Sequence, residues 1–183
     1  MPWKRKSSKE IYREKWLWIT EDSFVLGPGE KRKHVVIHKE PFASIIPWDG
    51  KKFILVGQYR YVIDFFSWEF PAGHFQSSIL ETAIAELKEE TGYTAEKIQP
   101  LGFTYLAPGH HTQQCHVFLA TDLRKGKTKC DIGEIASGMK IKKVTPAELE
   151  KMIKTGKIKD GPTLAGYALL QSQGFLKKIC HQK

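Results

Sequence analysis

The segment from Ser78 to Gly92 constrains the fold more than any other stretch of the chain. Ile79, Ala83 and Leu87, with Ile84 beside them, recur at helical spacing. Ser78 followed three residues later by Glu81 is a capping-box pair, and Gly92 is a helix stop. A helix from Ser78 to Thr91 with both ends marked must bury its apolar side, and the flanking sequence is rich in strand formers. Ala43 to Pro47 and Phe53 to Tyr61 read as a hairpin across Asp49-Gly50, a dipeptide suited to positive φ. Further strands are expected at Ile98 to Leu106, His116 to Ala120 and Lys140 to Val144, and closing helices at Pro146 to Thr155 and Thr163 to Phe175. Mixed strands with few helices predict an α/β layered fold, its sheet covered on both faces.

Residues 1–40 read as a separate small antiparallel β extension, with Trp16 to Ile19 and Val35 to Ile37 flanking the turn Gly27-Pro28-Gly29. Residues 41–183 form the main domain. With 183 residues, 41% of them hydrophobic, the chain can bury a core without covalent staples. Its 3 cysteines, Cys115, Cys130 and Cys180, form no CxxC pair, which favours a reducing compartment over a disulfide scaffold. The basic N-terminus is not followed by an apolar signal core, and no stretch approaches the roughly 18 apolar residues of a membrane span. A cytoplasmic protein with no membrane partner is the expectation.

The net charge of +9 is unevenly spread. Residues 1–40 carry 10 Lys and Arg against 6 Asp and Glu, residues 41–120 carry 5 against 8, and residues 121–183 carry 14 against 6. An acidic centre between basic flanks suits a divalent cation beside a polyanionic substrate.

The acidic centre is concentrated on the predicted helix. Glu86 and Glu90 are four apart and stack on one face, and Glu89 lies three from Glu86. Like charges at this spacing destabilise a helix unless they are neutralised, and a hard cation such as Mg²⁺ is the simplest neutraliser. For Glu86 to Glu90 taken alone, a solvated face offset by Lys88 is the competing explanation.

The surroundings decide between them. Pro71-Ala72-Gly73, followed by Glu86-Leu87-Lys88-Glu89-Glu90-Thr91-Gly92-Tyr93, resembles the box of the Nudix hydrolases. WLWITED, VGQYRY, WEFPAG, LAPG, HVFLATDL and IKDGPTLAGYALL, in this order, are similar to the subfamily that cleaves ADP-ribose and other nucleoside diphosphate sugars. Two positions depart from the family pattern: the box arginine falls on Ala85 and an earlier glutamate on Ser77. Losing both together is coherent, because an unpartnered buried charge costs more than removal of the pair. The expectation is a working site whose metal helix is supported differently.

The resemblance implies an α/β/α Nudix sandwich with a mixed sheet. Glu86 and Glu90 become metal ligands, Glu89 a ligand or close supporter, and the Ala72 carbonyl a further ligand, holding Mg²⁺ with Mn²⁺ as an alternative. Glu69 would contact substrate or the metal shell, and Arg60 would grip the diphosphate. Gly109 of LAPG and Gln113, which takes the place of a loop glutamate, would line the sugar side. Trp18, on the same strand face as Trp16 by alternation, would stack on the base or pack in the core. The general base is expected at Glu134, ahead of Asp131 and Glu86. The extension would join two chains into a homodimer. The substrate is then a small nucleotide sugar, with no nucleic-acid partner expected, since residues 121–159 interleave no aromatics among their lysines. The alternatives are action on RNA 5′ ends or free nucleotides, and a catalytically weak binding module.

Overall fold

A computed structural model describes residues 3–75, 78–126 and 138–176. Two compact units emerge: one contains the described residues up to Pro41 together with Tyr105–Gln114, the other Phe42–Thr104 and the chain from Cys115 onward.

The first unit is a three-stranded antiparallel sheet of β1 (Lys4–Arg13), β2 (Leu17–Val25) and β3 (Lys31–Lys39), with β2 in the middle. All ten residues of β1 are exposed, so its ladder is supported by surface pairs. Ser8 donates to Asp22 at 2.5 Å and Arg5 lies 3.6 Å from the same carboxylate. The sequence expectation had only two β pieces here, because β1 is too polar to show an apolar period. Trp16 lies outside β2 and is 49% exposed, so it does not share a strand face with Trp18. The segment 105–114 adds hydrogen bonds to β3: Ile37 N–H donates to His110 O at 2.9 Å and Thr112 N–H to Ile37 O at 3.0 Å.

The second unit holds two sheets. β5 (Phe53–Arg60) is central to a three-stranded sheet with β6 (Phe65–Glu69) and β10 (Lys140–Val144) at its edges. β4 (Phe42–Pro47) and β9 (Gln114–Lys125) run parallel at the centre of the other, flanked by β7 (Ala72–His74) and β8 (Tyr93–Tyr105). Among the described residues the helices are α1 (Ile79–Thr91), α2 (Pro146–Lys154) and α3 (Gly161–Ser172).

Alternation along the central strands divides the core in two. Ile46, Phe53, Leu55, Val117 and Leu119 join Leu149 and Met152 of α2 and Tyr167 and Leu170 of α3. Ala43, Ile45, Ile54, Phe118 and Ala120 join Ala83 and Leu87 of α1. The central strands are therefore buried on both faces, and the α/β/α layering expected from the sequence is present.

The expected hairpin of β4 with β5 is not. The two strands lie in different sheets, and the chain between them closes with an antiparallel bridge of Trp48 with Phe53. A hairpin with one wet face would alternate in polarity, whereas Ala43–Pro47 and Phe53–Gln58 are buried at every position. The Asp49-Gly50 turn does form, with Gly50 at φ 95° and the Asp49 carboxylate accepting from the amides of Lys51 and Lys52, but it carries the chain from one sheet to the other.

Candidate active site

Helix α1 begins where its cap requires. Ser78 Oγ accepts from Glu81 N–H at 3.1 Å and donates to the Glu81 carboxylate at 3.0 Å. Gly92, at φ 72°, closes the far end with its N–H on Lys88 O at 2.9 Å. Ile84 is 43% exposed, so the apolar stripe is narrower than its spacing implied and consists of Ile79, Ala83 and Leu87. The opposite edge carries Glu86 and Glu89, both half-buried, and Glu90, which is 3% exposed.

Glu90 is buried against the end of β6 and the start of β7. Its Oε2 accepts from Ala72 N–H at 3.1 Å. Glu86 lies on the next residue: a Cβ added to Gly73 would sit 2.8 Å from Glu86 Cγ and closer still to the carboxylate. The glycine is therefore needed for close approach of a carboxylate to backbone, which is a reason for Pro-Ala-Gly at this place. Upstream, Pro71 O accepts from Ile45 N–H at 2.9 Å, and Phe70 N–H donates to Thr163 Oγ1 at 2.9 Å. The strap from Glu69 to Gly73 is thus tied to α1, β4 and α3.

At the head of the strap, Arg60 forms a fork with Glu69. Arg60 Nε donates to Oε1 at 2.9 Å and the terminal nitrogen pairs with Oε2. The Glu69 side chain is 6% exposed and that of Arg60 43%, so the guanidinium is the part that meets solvent. Its hydrogen bond to Glu69 raises the Arg60 pKa against the effect of burial, helped by the charges of Glu69, Asp160 and Glu90. Asp160, the N-cap of α3, accepts from Thr163 N–H at 2.8 Å. Burial first, then the charge of Glu69, pushes its carboxyl above the ordinary aspartate value, while its bonds to Thr163 pull the other way.

Glu86, Glu90, Ala72, Glu69 and Arg60 are thus neighbours along the α1 edge and the strap, with Glu89 on the same helix. The other expected contacts fall in the other unit or outside the described residues. Trp18, Gly109 and Gln113 belong to the first unit. Trp18 stacks on His38 with centroids 5.0 Å apart, and Arg13 lies 5.0 Å over its ring. Gly109 O contacts His34 Nε2 at 2.9 Å, and Gln113, 5% exposed, donates its amide to Glu40 O at 3.2 Å. Glu134, Asp131 and Ser77 lie outside the described residues. His116, on β9, is stacked 5.4 Å from Phe103, and burial lowers its pKa.

Sequence reasoning missed Asp160 and Thr163 as parts of this neighbourhood. The signal was available: Asp followed by Gly-Pro is an N-cap ahead of a proline in the first turn, which starts α3 before the expected Thr163.

The donor set suits a hard cation. Carboxylates and a backbone carbonyl offer only oxygen, and Mg²⁺ is usually held through one or two carboxylates with waters and substrate phosphates rather than in an all-protein cage. Among the described residues no three His, Cys, Asp or Glu side chains are gathered into a ready-made metal cluster. No helix among these residues is long and apolar enough to cross a membrane.

Comparison with known proteins is consistent with this geometry. The chain is 30% identical over 163 residues to the ADP-ribose pyrophosphatase of Bacillus subtilis (strain 168), covering 88% of this chain and 87% of that one. It is 27% identical over 173 residues to the methanol dehydrogenase activator of Bacillus methanolicus, covering 93% of each. A shorter match, 34% over 92 residues, links it to the GDP-mannose pyrophosphatase of Yersinia enterocolitica, covering 50% of this chain and 48% of that one. The crystal structure of an ADP compounds hydrolase superposes with a TM-score of 0.82 at 18% identity, over 95% of this chain and 97% of that one, which establishes the shared fold. The NUDIX domain profile matches residues 38–165, a span that contains the strap, α1 and the head of α3. The chain therefore belongs to the Nudix hydrolase family.

Proposed function

We propose that the protein hydrolyses the pyrophosphate bond of ADP-ribose or a related nucleoside diphosphate sugar, yielding a nucleoside monophosphate and a sugar phosphate. The observation that carries this reading is the seating of Glu86 and Glu90 against the Ala72–Gly73 backbone, with Arg60 held beside them by Glu69. The names of the relatives support the substrate class.

Nudix hydrolases generally use a divalent metal. Here Glu86, Glu90 and the Ala72 carbonyl would hold Mg²⁺, with Glu89 in support and Mn²⁺ as a substitute. The ion would supply charge neutralisation for the diphosphate. Arg60 is suited to a second part of that task, since a guanidinium grips phosphate oxygens through two N–H groups at once. Glu69 orients Arg60, and its burial makes the pair a fixed fork rather than a free surface arginine. Hydrolysis also requires a water that gives up its proton as its oxygen bonds to phosphorus and the bridging oxygen departs. Glu134 is assigned as the acceptor of that proton.

The base and sugar contacts are assigned to Trp18, Gly109 and Gln113, and the N-terminal sheet to a homodimer contact. Val35, Ile11 and Tyr12, each about half exposed at 49%, 52% and 53%, give that sheet apolar surface to cover. A cytoplasmic location fits the reduced state expected of Cys115, which is buried and whose thiol pKa burial raises to about 12.

The test is a turnover panel of ADP-ribose, ADP-glucose, GDP-mannose, a UDP-sugar, dinucleoside polyphosphates and triphosphorylated RNA, with Mg²⁺, with Mn²⁺ and with chelator. Turnover of a nucleotide sugar that chelator abolishes is expected. Glu90→Gln should lose on the order of 10²-fold in kcat with an unchanged circular dichroism spectrum. Binding of ADP-ribose without turnover under every metal condition would instead indicate a sensor.

A further inference from the structure

The strap that carries the Ala72 carbonyl is fixed from two opposite ends of the sequence. Phe70 N–H donates to Thr163 Oγ1 at 2.9 Å, and this hydroxyl belongs to a residue with no exposed surface in the first turn of α3. Thr163 is itself held, since its N–H donates to Asp160 Oδ2 at 2.8 Å. Two residues along, Ala72 N–H donates to Glu90 Oε2 at 3.1 Å. Between them Pro71 has no N–H to offer, and its carbonyl is taken by Ile45 N–H at 2.9 Å. The Phe70 bond reaches helix α3, and it sits one residue after Glu69, the partner of Arg60.

From these contacts we infer that Thr163 is a positioning residue for catalysis, its hydroxyl setting where the Glu69–Gly73 backbone lies relative to α1 and Arg60. The inference rests on the pyrophosphatase reading above. Losing the hydroxyl leaves a buried amide unpaired, and the strap relieves this by moving toward another acceptor. Displacement of a reacting group or ligand by about 1 Å is enough to cost on the order of 10²-fold in rate. A helix that only filled space would have no such effect, because valine occupies the volume of threonine.

The experiment compares Thr163→Ser, Thr163→Ala and Thr163→Val with Leu170→Ala, which removes a fully buried side chain from the same helix far along the core. Five quantities are read on the full chain: kcat and KM for ADP-ribose, melting temperature, Mn²⁺ affinity by electron paramagnetic resonance without substrate, and hydrogen exchange at the Phe70 and Ala72 amides. Serine should keep wild-type values. Valine should lower kcat by about 10-fold to 10²-fold with KM changed by less than about 3-fold, weaken Mn²⁺ binding and speed exchange at both amides. Alanine should fall between them, because a water can enter and accept from Phe70. The order serine, alanine, valine is the reverse of what packing volume predicts for the last two. Leu170→Ala should melt at lower temperature with kcat and Mn²⁺ affinity intact.

Wild-type kcat and Mn²⁺ affinity in the valine variant would overturn the inference, as would kcat that simply follows melting temperature across all four variants. If the valine variant fails to fold, equal kcat losses in Thr163→Ala and Leu170→Ala overturn it and a loss confined to Thr163→Ala sustains it. A wild-type protein that turns over nothing sinks the pyrophosphatase reading instead, and Mn²⁺ affinity and amide exchange then decide the role of Thr163.

Discussion

The three strands β1 to β3 and the central pair β4 and β5 have the same secondary structure and are held by different forces. Every residue of β1 is exposed, and its ladder is reinforced by pairs such as Ser8 with Asp22. Ile45, Ile46, Phe53, Ile54 and Leu55 have no exposed surface at all. Burial stabilises the second group, at about 25 cal/mol per Å² of apolar surface, whereas exposed pairs contribute little each. The central strands of the second unit therefore have little tolerance for lost volume, while β1 has little to lose.

That contrast can be broken in four places. Ile45→Ala removes a side chain from the α1-facing core and should destabilise by about 2–5 kcal/mol in denaturant titration. Gly73→Ala attacks the same unit without touching its core. The new Cβ displaces the end of a flexible Glu86 side chain rather than backbone, so turnover should fall by on the order of 10-fold or more while stability changes by less than about 1 kcal/mol.

Asp160→Asn tests charge at the head of α3. A raised carboxyl pKa means the folded state holds the proton more tightly than the unfolded chain. The contribution of Asp160 to stability is therefore fully present below its ordinary value of 3.8 and is lost as pH rises through the raised one. Asparagine keeps the cap and removes the titration, so the variant should gain stability at pH 7 relative to wild type, by at most about 1 kcal/mol, and show a flatter profile in acid. A loss at pH 7 in thermal melts would contradict the arrangement. The smallest effect belongs to the exposed sheet: Lys33→Ala breaks the 2.8 Å pair with Glu21 and should cost a few tenths of a kcal/mol, vanishing in high salt. A cost comparable to Ile45→Ala would show that this sheet is not the tolerant region described.

Local signals were legible in the sequence, and pairings between distant segments were not. Ser78, Glu81 and Gly92 announce α1 because capping is an interaction within a few residues, and the carboxylates of Glu86 and Glu90 follow from helical spacing. The parallel partner of β4 is β9, more than 60 residues on by the register of Phe42 with Cys115, and its antiparallel partner is β7, and no local pattern selects either over β5. Strand β1 escaped notice because its polar sequence carries no period to read. The Phe70–Thr163 bond joins residues 93 apart, so the tie between α3 and the strap is invisible until the chain is folded. Lys140 and Lys142 lie over the rings of Phe66 and Trp68 on the opposite edge strand of the same sheet, a contact across β5 that no local pattern announces.

The enclosure of β5 from Phe53 to Gln58 has a consequence for the life of the newly made chain. Phe53-Ile54-Leu55-Val56 is uncharged, free of proline and strongly β-forming, so before it is enclosed it is a template for cross-β stacking between molecules. Lys51 and Lys52 stand immediately before it, exposed in the folded state, where their mutual repulsion in a stacked array opposes aggregation. Two side chains with no part in the chemistry thereby act as gatekeepers during synthesis and refolding.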